Sequence, residues 1–335
     1  MKAAVLLDAH SMTIEDVPVP VPEKGEVLLK VHSCGICGTD MEFFENGTYN
    51  PPTILGHECS GTIEKLGPGV KGLKPGDRVV VNDLFSCGAC DFCRRGLENL
   101  CSQAANLGIH WPGAFAEYTK APARSLFRLP ESISMHDGAL IPTLAVGHHA
   151  SRRAPLSPDV KTLIIGAGPI GLSILVALKM AGVRNVVVSD INERSRTIAK
   201  KVGASAVVDP STEDLPERLE SLLGSQPRLV FEAVGKPGTI LEAMEVVERG
   251  GTVVVVGNCF EEIVVNPITW ILKEINIHAS QATSSEDLAT AIGWMAAGKI
   301  DPASFITRTI SLDELPGVMR GLTAAKSDIK IIVNI

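Results

Sequence analysis

Several things are missing from this 335-residue sequence. No uninterrupted apolar run approaches the ~18 residues that a membrane-spanning helix needs, so no membrane partner is expected. There is no basic surplus. Lysines and arginines number 31 against 38 aspartates and glutamates, a formal charge of −7, which removes the counterion-driven attraction to nucleic acid or anionic lipid. A zinc-dependent nucleic-acid binder is disfavoured for the same reason. No internal repeat or low-complexity tract is visible, and no small-residue cleavage site follows the opening MKAAVLLDAHSMTIED, which soon turns acidic. The expectation is a cytoplasmic globular chain, in line with 45% hydrophobic and 21% charged residues. Its length suggests about two domains. Eight cysteines in such a chain point to metal rather than disulfides, because cytosolic thiols are kept reduced.

Four of those cysteines crowd into CGACDFCRRGLENLC, residues 87 to 101. Cys87, Cys90, Cys93 and Cys101 follow C-x2-C-x2-C-x7-C, with Gly88 and Gly96 allowing tight turns. A closed shell of four thiolates suits Zn2+ and leaves no position for substrate, which marks a structural site. An iron–sulfur cluster is the rival reading. Chemistry is then expected elsewhere, and Cys37, His57 and Glu58 supply a mixed S/N/O set of the kind that holds zinc with a vacancy for water or substrate.

A second motif lies in VKTLIIGAGPIGLSILVALKMAG, residues 160 to 182, which reads as a strand, a glycine turn and a helix of about a dozen residues. Gly166, Gly168 and Gly171 form G-x-G-x-x-G around Pro169 and Ile170. The first glycine permits the turn, the second lets backbone approach a pyrophosphate, and the third lets helix pack on strand. A further strand, NVVVSD, ends in Asp190, 19 residues after Gly171, close to the ~20 expected of a ribose-binding acid. A carboxylate there repels a 2′-phosphate, so NAD is expected over NADP, while Arg194 and Arg196 keep some NADP use open. Strand and helix patterns alternate to about residue 280, giving a doubly wound parallel sheet.

Before residue 147 the chain reads differently, with many glycines and prolines and short β-rich runs such as EVLLKVHS, SGTIEKLG and DRVVVNDLF. After the sixth strand of the sheet, Ser284 or Ser285 can cap a helix with Leu288, Ile292 and Met295 on one face and Gly298 at its end. Cys59 and Cys259 read as packing thiols.

These motifs resemble one family. GHE at 56 to 58, followed by Gly61, Gly67 and Val70, is similar to the GHE-x2-G-x5-G-x2-V signature of zinc-containing medium-chain dehydrogenases/reductases, and CGICGTD to their first ligand segment. GAFAEY (113 to 118) resembles their GGFAEY, and GALIPTLAVGHHASRRA (138 to 154) is most similar to the sorbitol and polyol dehydrogenase branch. The resemblance implies a GroES-like β-barrel catalytic domain from residues 1–146 and 283–335, with a structural-zinc lobe at 86–102, and a Rossmann NAD-binding domain at 147–282. It implies a substrate cleft between the two and two zincs per chain, one catalytic on Cys37, His57 and Glu58 and one structural. Thr39 would stand in the proton-relay position. The activity implied is hydride transfer between a secondary alcohol or polyol and NAD+, with a small alcohol or ketone as partner and a dimer or tetramer as the assembly.

The chain departs from that pattern at three points. Pro142 or Thr143 stands where polyol dehydrogenases usually carry a glutamate near zinc, and neither supplies an anionic ligand. Neither His148 nor His149 is expected to replace it, yet three protein ligands plus water still make a working zinc. Glu42 replaces a histidine that passes the proton to solvent, and its lower intrinsic pKa makes it a poorer shuttle near neutral pH. Gln281 lies where an arginine commonly holds substrate hydroxyls, so with Trp111 and Phe44 as lining a less polar alcohol or cyclic ketone competes with a sugar alcohol. Two further alternatives stand beside the alcohol dehydrogenase: a zinc-free NAD(P)H-dependent reductase of an activated double bond, and a non-catalytic nucleotide-binding relative.

Overall fold

The computed structural model describes residues 1–335 except 48–50 and 323–327. Two compact units emerge, Met1–Pro142 with Thr283–Ile335, and Thr143–Ala282. The second begins four residues earlier than the sequence pattern suggests. Its boundary falls inside the helix Ile141–Ser151, whose Gly147 lies so close to Ser173 that a Cβ there would overlap the Ser173 backbone. Among the described residues no helix is long and apolar enough to cross a membrane.

The first unit is built on a seven-stranded sheet in which Glu26–Gly35 is central. Antiparallel partners flank it: Glu58–Leu66 on one side and, at its Ser33–Gly35 end, Lys330–Asn334 on the other. The chain's tail thus completes a sheet begun near its head. Val27, Leu29, Val31, Ile63, Val79, Ile331 and Val333 fill the core beneath. The run DRVVVNDLF, expected as one strand, breaks in two: Arg78–Val81 pairs with Glu58–Leu66, and Leu84–Phe85 pairs with Ala105–Asn106. Asn82 makes the break, its Oδ1 accepting from the Leu84 N–H at 3.3 Å, a local side-chain bond that competes with the ladder.

The second unit is a six-stranded sheet, parallel throughout. Its spatial order is Ala206–Val208, Val186–Ser189, Thr162–Ile165, Leu229–Glu232, Thr252–Val255, Asn276–Ala279, the doubly wound arrangement that reverses at its first strand and binds ligands at the strands' carboxyl ends. The four-residue central strands are buried on both faces, which explains why they read as continuous apolar runs rather than alternating ones. The helix Pro169–Met180 follows the glycine turn with proline in its first position, where a missing N–H costs nothing. Back in the first unit, Ser284 caps the helix Ser285–Ala296 and Gly298 follows its end with φ +65°.

Candidate functional site

Cys37 is the N-cap of the helix Gly38–Asn46, while His57 and Glu58 sit at the start of the strand Glu58–Leu66. Two separate segments must therefore be brought into register, and Asp40 does this. It is buried. Its Oδ2 accepts from the Cys37 N–H at 2.8 Å and its Oδ1 from the Gly56 N–H at 3.0 Å, and Oδ1 lies 3.4 Å from His57 Nδ1. One carboxylate holds both ligand segments and orients the imidazole, leaving the other ring nitrogen for a ligand role. Burial works against a charged His57 ring, but Asp40 and Cys37 outweigh it and hold the pKa well above the usual value.

Glu58 has a partner from the opposite end of the chain. Lys330, itself buried, donates from Nζ to Glu58 Oε2 at 2.6 Å and to the Ile36 carbonyl at 3.1 Å. Gly35 lies between the two strands that carry this pair, and a Cβ there would overlap the Glu58 carboxylate. One donor atom each from Cys37, His57 and Glu58 lies within 4.8 Å of the others. The thiolate, imidazole and carboxylate, with the ring's second nitrogen held by an acid, fit a zinc site with an open position. Thr39 lies on the helix's first turn, partly accessible. Glu42, one turn on, accepts at Oε1 from Asn46 Nδ2 at 2.8 Å.

The four lobe cysteines are all free thiols. Their sulfurs stand 3.9 Å (Cys87–Cys93), 3.5 Å (Cys90–Cys93) and 3.9 Å (Cys90–Cys101) apart. Tetrahedral zinc thiolates with bonds of ~2.3 Å place sulfurs about 3.8 Å apart, so the set fits that ion. Backbone N–H groups of Cys90 and Cys87 donate to Cys87 Sγ and Cys101 Sγ at 3.3 and 3.2 Å. Such bonds favour the thiolate form, and the Cys90 thiol is lowered to about 6, the Cys93 amide being the main cause.

In the second unit Gly166 has φ +96°, and a Cβ on Gly171 would overlap the Gly166 carbonyl oxygen. Gly168 has open space where a Cβ would stand, the cradle a pyrophosphate needs. Pro169 and Ile170 open the helix beside it. Asp190 closes the turn, its Oδ2 accepting from the Ala167 N–H and its Oδ1 from the Asn192 N–H, both at 2.7 Å. Arg194 is exposed. Arg196 is committed elsewhere, to Asp209 at 2.9 Å and to the Asp190 carbonyl at 2.7 Å.

Sequence reasoning missed Asp40 and Lys330. An acid on a helix's first turn is ordinarily solvated, so Asp40 gave no signal. Lys330, a lone charge inside the apolar run IKIIVNI, was the one visible anomaly, since a lysine is almost never buried unpaired. Phe44, expected as pocket lining, instead lies in the core, edge-on to His10.

Comparison with known proteins agrees with this geometry. Residues 23–131 match the alcohol dehydrogenase GroES-like domain and residues 169–297 the zinc-binding dehydrogenase domain. The chain is 32% identical to the sorbitol dehydrogenase of Bacillus subtilis over 99% of its own length and 97% of that protein's. The structure of 2R,3R-butanediol dehydrogenase from Bacillus subtilis superimposes with a TM-score of 0.90 at 30% identity, covering 100% of this chain and 99% of that one. A zinc-binding dehydrogenase from Sinorhizobium meliloti bound to NADP gives 0.93 at 32% identity, with the same coverage. With such identity over nearly the whole length, and with both domains in place, the chain belongs to the zinc-containing medium-chain dehydrogenases/reductases, a family of alcohol oxidoreductases, on its polyol dehydrogenase branch.

Proposed function

We propose that the protein oxidises secondary alcohols, polyols among them, with NAD+ as hydride acceptor, and carries two zincs per chain, one on Cys37, His57 and Glu58 and one on Cys87, Cys90, Cys93 and Cys101. The observation that carries this reading is the convergence of three different donor atoms within 4.8 Å, organised by Asp40 and Lys330. When bound, the cation supplies Lewis acidity that eases loss of a proton from the substrate hydroxyl. The residues do the rest. Lys330 neutralises Glu58, so less anionic charge faces the cation and less of its Lewis acidity is quenched. Asp40 fixes the His57 ring. The Thr39 hydroxyl, two residues past Cys37, accepts the departing proton and passes it on, with Glu42 as an outer acceptor.

Asp190 supports NAD over NADP, since its carboxylate stands at the glycine turn where a 2′-phosphate would meet like charge. Arg196, already engaged with Asp209, does not offset that charge. A homo-oligomer is also part of this reading. The strand Asn276–Ala279 is an edge with no outer partner among the described residues, and in the segment that leads into it Val264, Phe260, Ile271 and Leu272 are 92%, 71%, 66% and 64% exposed. An open edge with apolar neighbours of this exposure fits self-association about a two-fold axis.

The test is metal analysis together with a screen of polyols, simple secondary alcohols and cyclic alcohols, following NADH formation. Two zincs per chain and NAD-linked turnover are expected. One zinc per chain, or none, with no turnover of any alcohol would refute it.

A further inference from the structure

We infer that Asp83, with Asn106, determines specificity by binding a second hydroxyl of the substrate, beside the one that is oxidised. This deepens the proposed function and rests on it.

The placement follows from strand register. Ser60 pairs with Val80, Gly61 with Val79 and Thr62 with Arg78. Continued outwards, that antiparallel ladder brings Asp83 opposite His57. The ladder itself stops at Asn82, whose side chain turns the backbone, so Asp83 stands at the break instead of inside a paired strand. It is not one of the donors clustered within 4.8 Å of one another. Asp40 already holds the His57 ring nitrogen, so Asp83 is needed neither as ligand nor as the ring's anchor.

Its surroundings are those of a recognition site. Its Oδ2 accepts from Asn106 Nδ2 at 3.5 Å, and the residue remains partly accessible. Asn106 heads a tight turn: its carbonyl accepts from the His110 and Trp111 N–H groups at 2.9 and 3.1 Å, and its own N–H donates to His110 Nδ1 at 3.1 Å. Two residues past Asp83, Phe85 is buried in the core and meets Trp111 edge to face at 5.2 Å between ring centres, which anchors the backbone on both sides of the pair. A carboxyl and an amide on so firmly held a backbone can trade hydrogen bonds with a hydroxyl, and a purely apolar substituent would strand them.

The test compares kcat/KM for glycerol, xylitol and sorbitol with that for isopropanol, in the wild type, Asp83→Ala, Asp83→Asn and Asn106→Ala. Zinc content, NADH affinity and thermal midpoint are measured alongside. Asp83→Ala is expected to lower the polyol-to-isopropanol ratio by about 10- to 100-fold, with zinc content and NADH affinity at wild-type values. Asp83→Asn, which keeps the shape and one acceptor, should lower it less and guards against a folding defect in the alanine variant. An unchanged ratio, equal losses on both substrate classes, or a wild type that oxidises isopropanol and ignores polyols overturns the inference. A wild type that oxidises no alcohol overturns the proposed function as well, and is told apart because it shows before any substitution is made.

Discussion

Lys330 Nζ and Glu58 Oε2 are 2.6 Å apart, and both side chains are almost fully shielded from water. Buried charges of this kind are costly to separate, because the remaining one loses both its partner and its hydration. Lys330→Met is therefore expected to destabilise the protein by about 3–5 kcal/mol, read from denaturant unfolding. Burial alone would lower the lysine's pKa, but Glu58 foremost, then Cys37 and Asp40, raise it. A raised value means stability that is complete below the unfolded lysine's ~10.4 and lost as pH climbs through the folded value. The wild type should thus weaken above that pH, and the methionine variant should lack this alkaline limb.

His57 yields a prediction in the opposite range. Its proton is held tightly in the metal-free protein by Asp40 and Cys37, and a cation must displace that proton to bind. Zinc affinity at this site should fall as pH drops below the folded pKa of His57, with proton release on binding, measurable by competition with a chromophoric chelator. In the metal-free protein the same raised pKa contributes stability that is full below the unfolded ~6.5 and fades as pH rises through the folded value.

Stripping the cysteine lobe should expose it. Arg94 and Arg95 lie between Cys93 and Cys101 with well-exposed side chains. Chelation, or Cys90→Ser, is expected to lower the thermal midpoint by about 3 °C, equivalent to ~2 kcal/mol in a chain of 335 residues, and to make the Arg94–Arg95 bond sensitive to trypsin. A lobe that resists trypsin equally with and without metal would contradict the structural role.

At the nucleotide turn, Asp190→Ala should weaken NADH binding about 10- to 100-fold, the scale of hydrogen bonds to a charged group, while affecting NADPH less. Gly171→Ala should abolish binding of both, since its Cβ has no room against the Gly166 carbonyl. Fluorescence titration distinguishes the two patterns.

If the edge strand Asn276–Ala279 and its neighbours are covered by a second copy, Ile271→Asp with Leu272→Asp should shift the sedimentation coefficient to that of a monomer. Unaltered sedimentation would place the subunit contact elsewhere.

Much of the second unit was readable because its determinants are local. Gly166, Gly168 and Gly171 dictate a turn wherever they occur in that order, and the buried strands around them run as unbroken apolar stretches. The donors Cys37, His57 and Glu58 could also be picked out, since their residue types are distinctive. What organises those donors could not. Asp40 and Asp83 are ordinary polar residues in the linear text, and Lys330, though conspicuous in its apolar run, names no partner there. They acquire meaning only from cross-strand register and from the pairing of Lys330–Asn334 with Glu26–Gly35, which join positions hundreds of residues apart. The break at Asn82 was equally hidden, because a single side-chain bond cut an otherwise continuous β pattern.

The 272 residues that separate Glu58 from Lys330 set an order of events during synthesis. The nucleotide-binding unit is fully translated while Glu58 still waits for its counter-ion, which follows that unit in the chain. Domains fold as units as they leave the ribosome, so the Glu58–Lys330 pair closes only after that unit has been made. A nascent chain halted before residue 330 would hold a dinucleotide fold and, in its other unit, an acid with nothing to neutralise it.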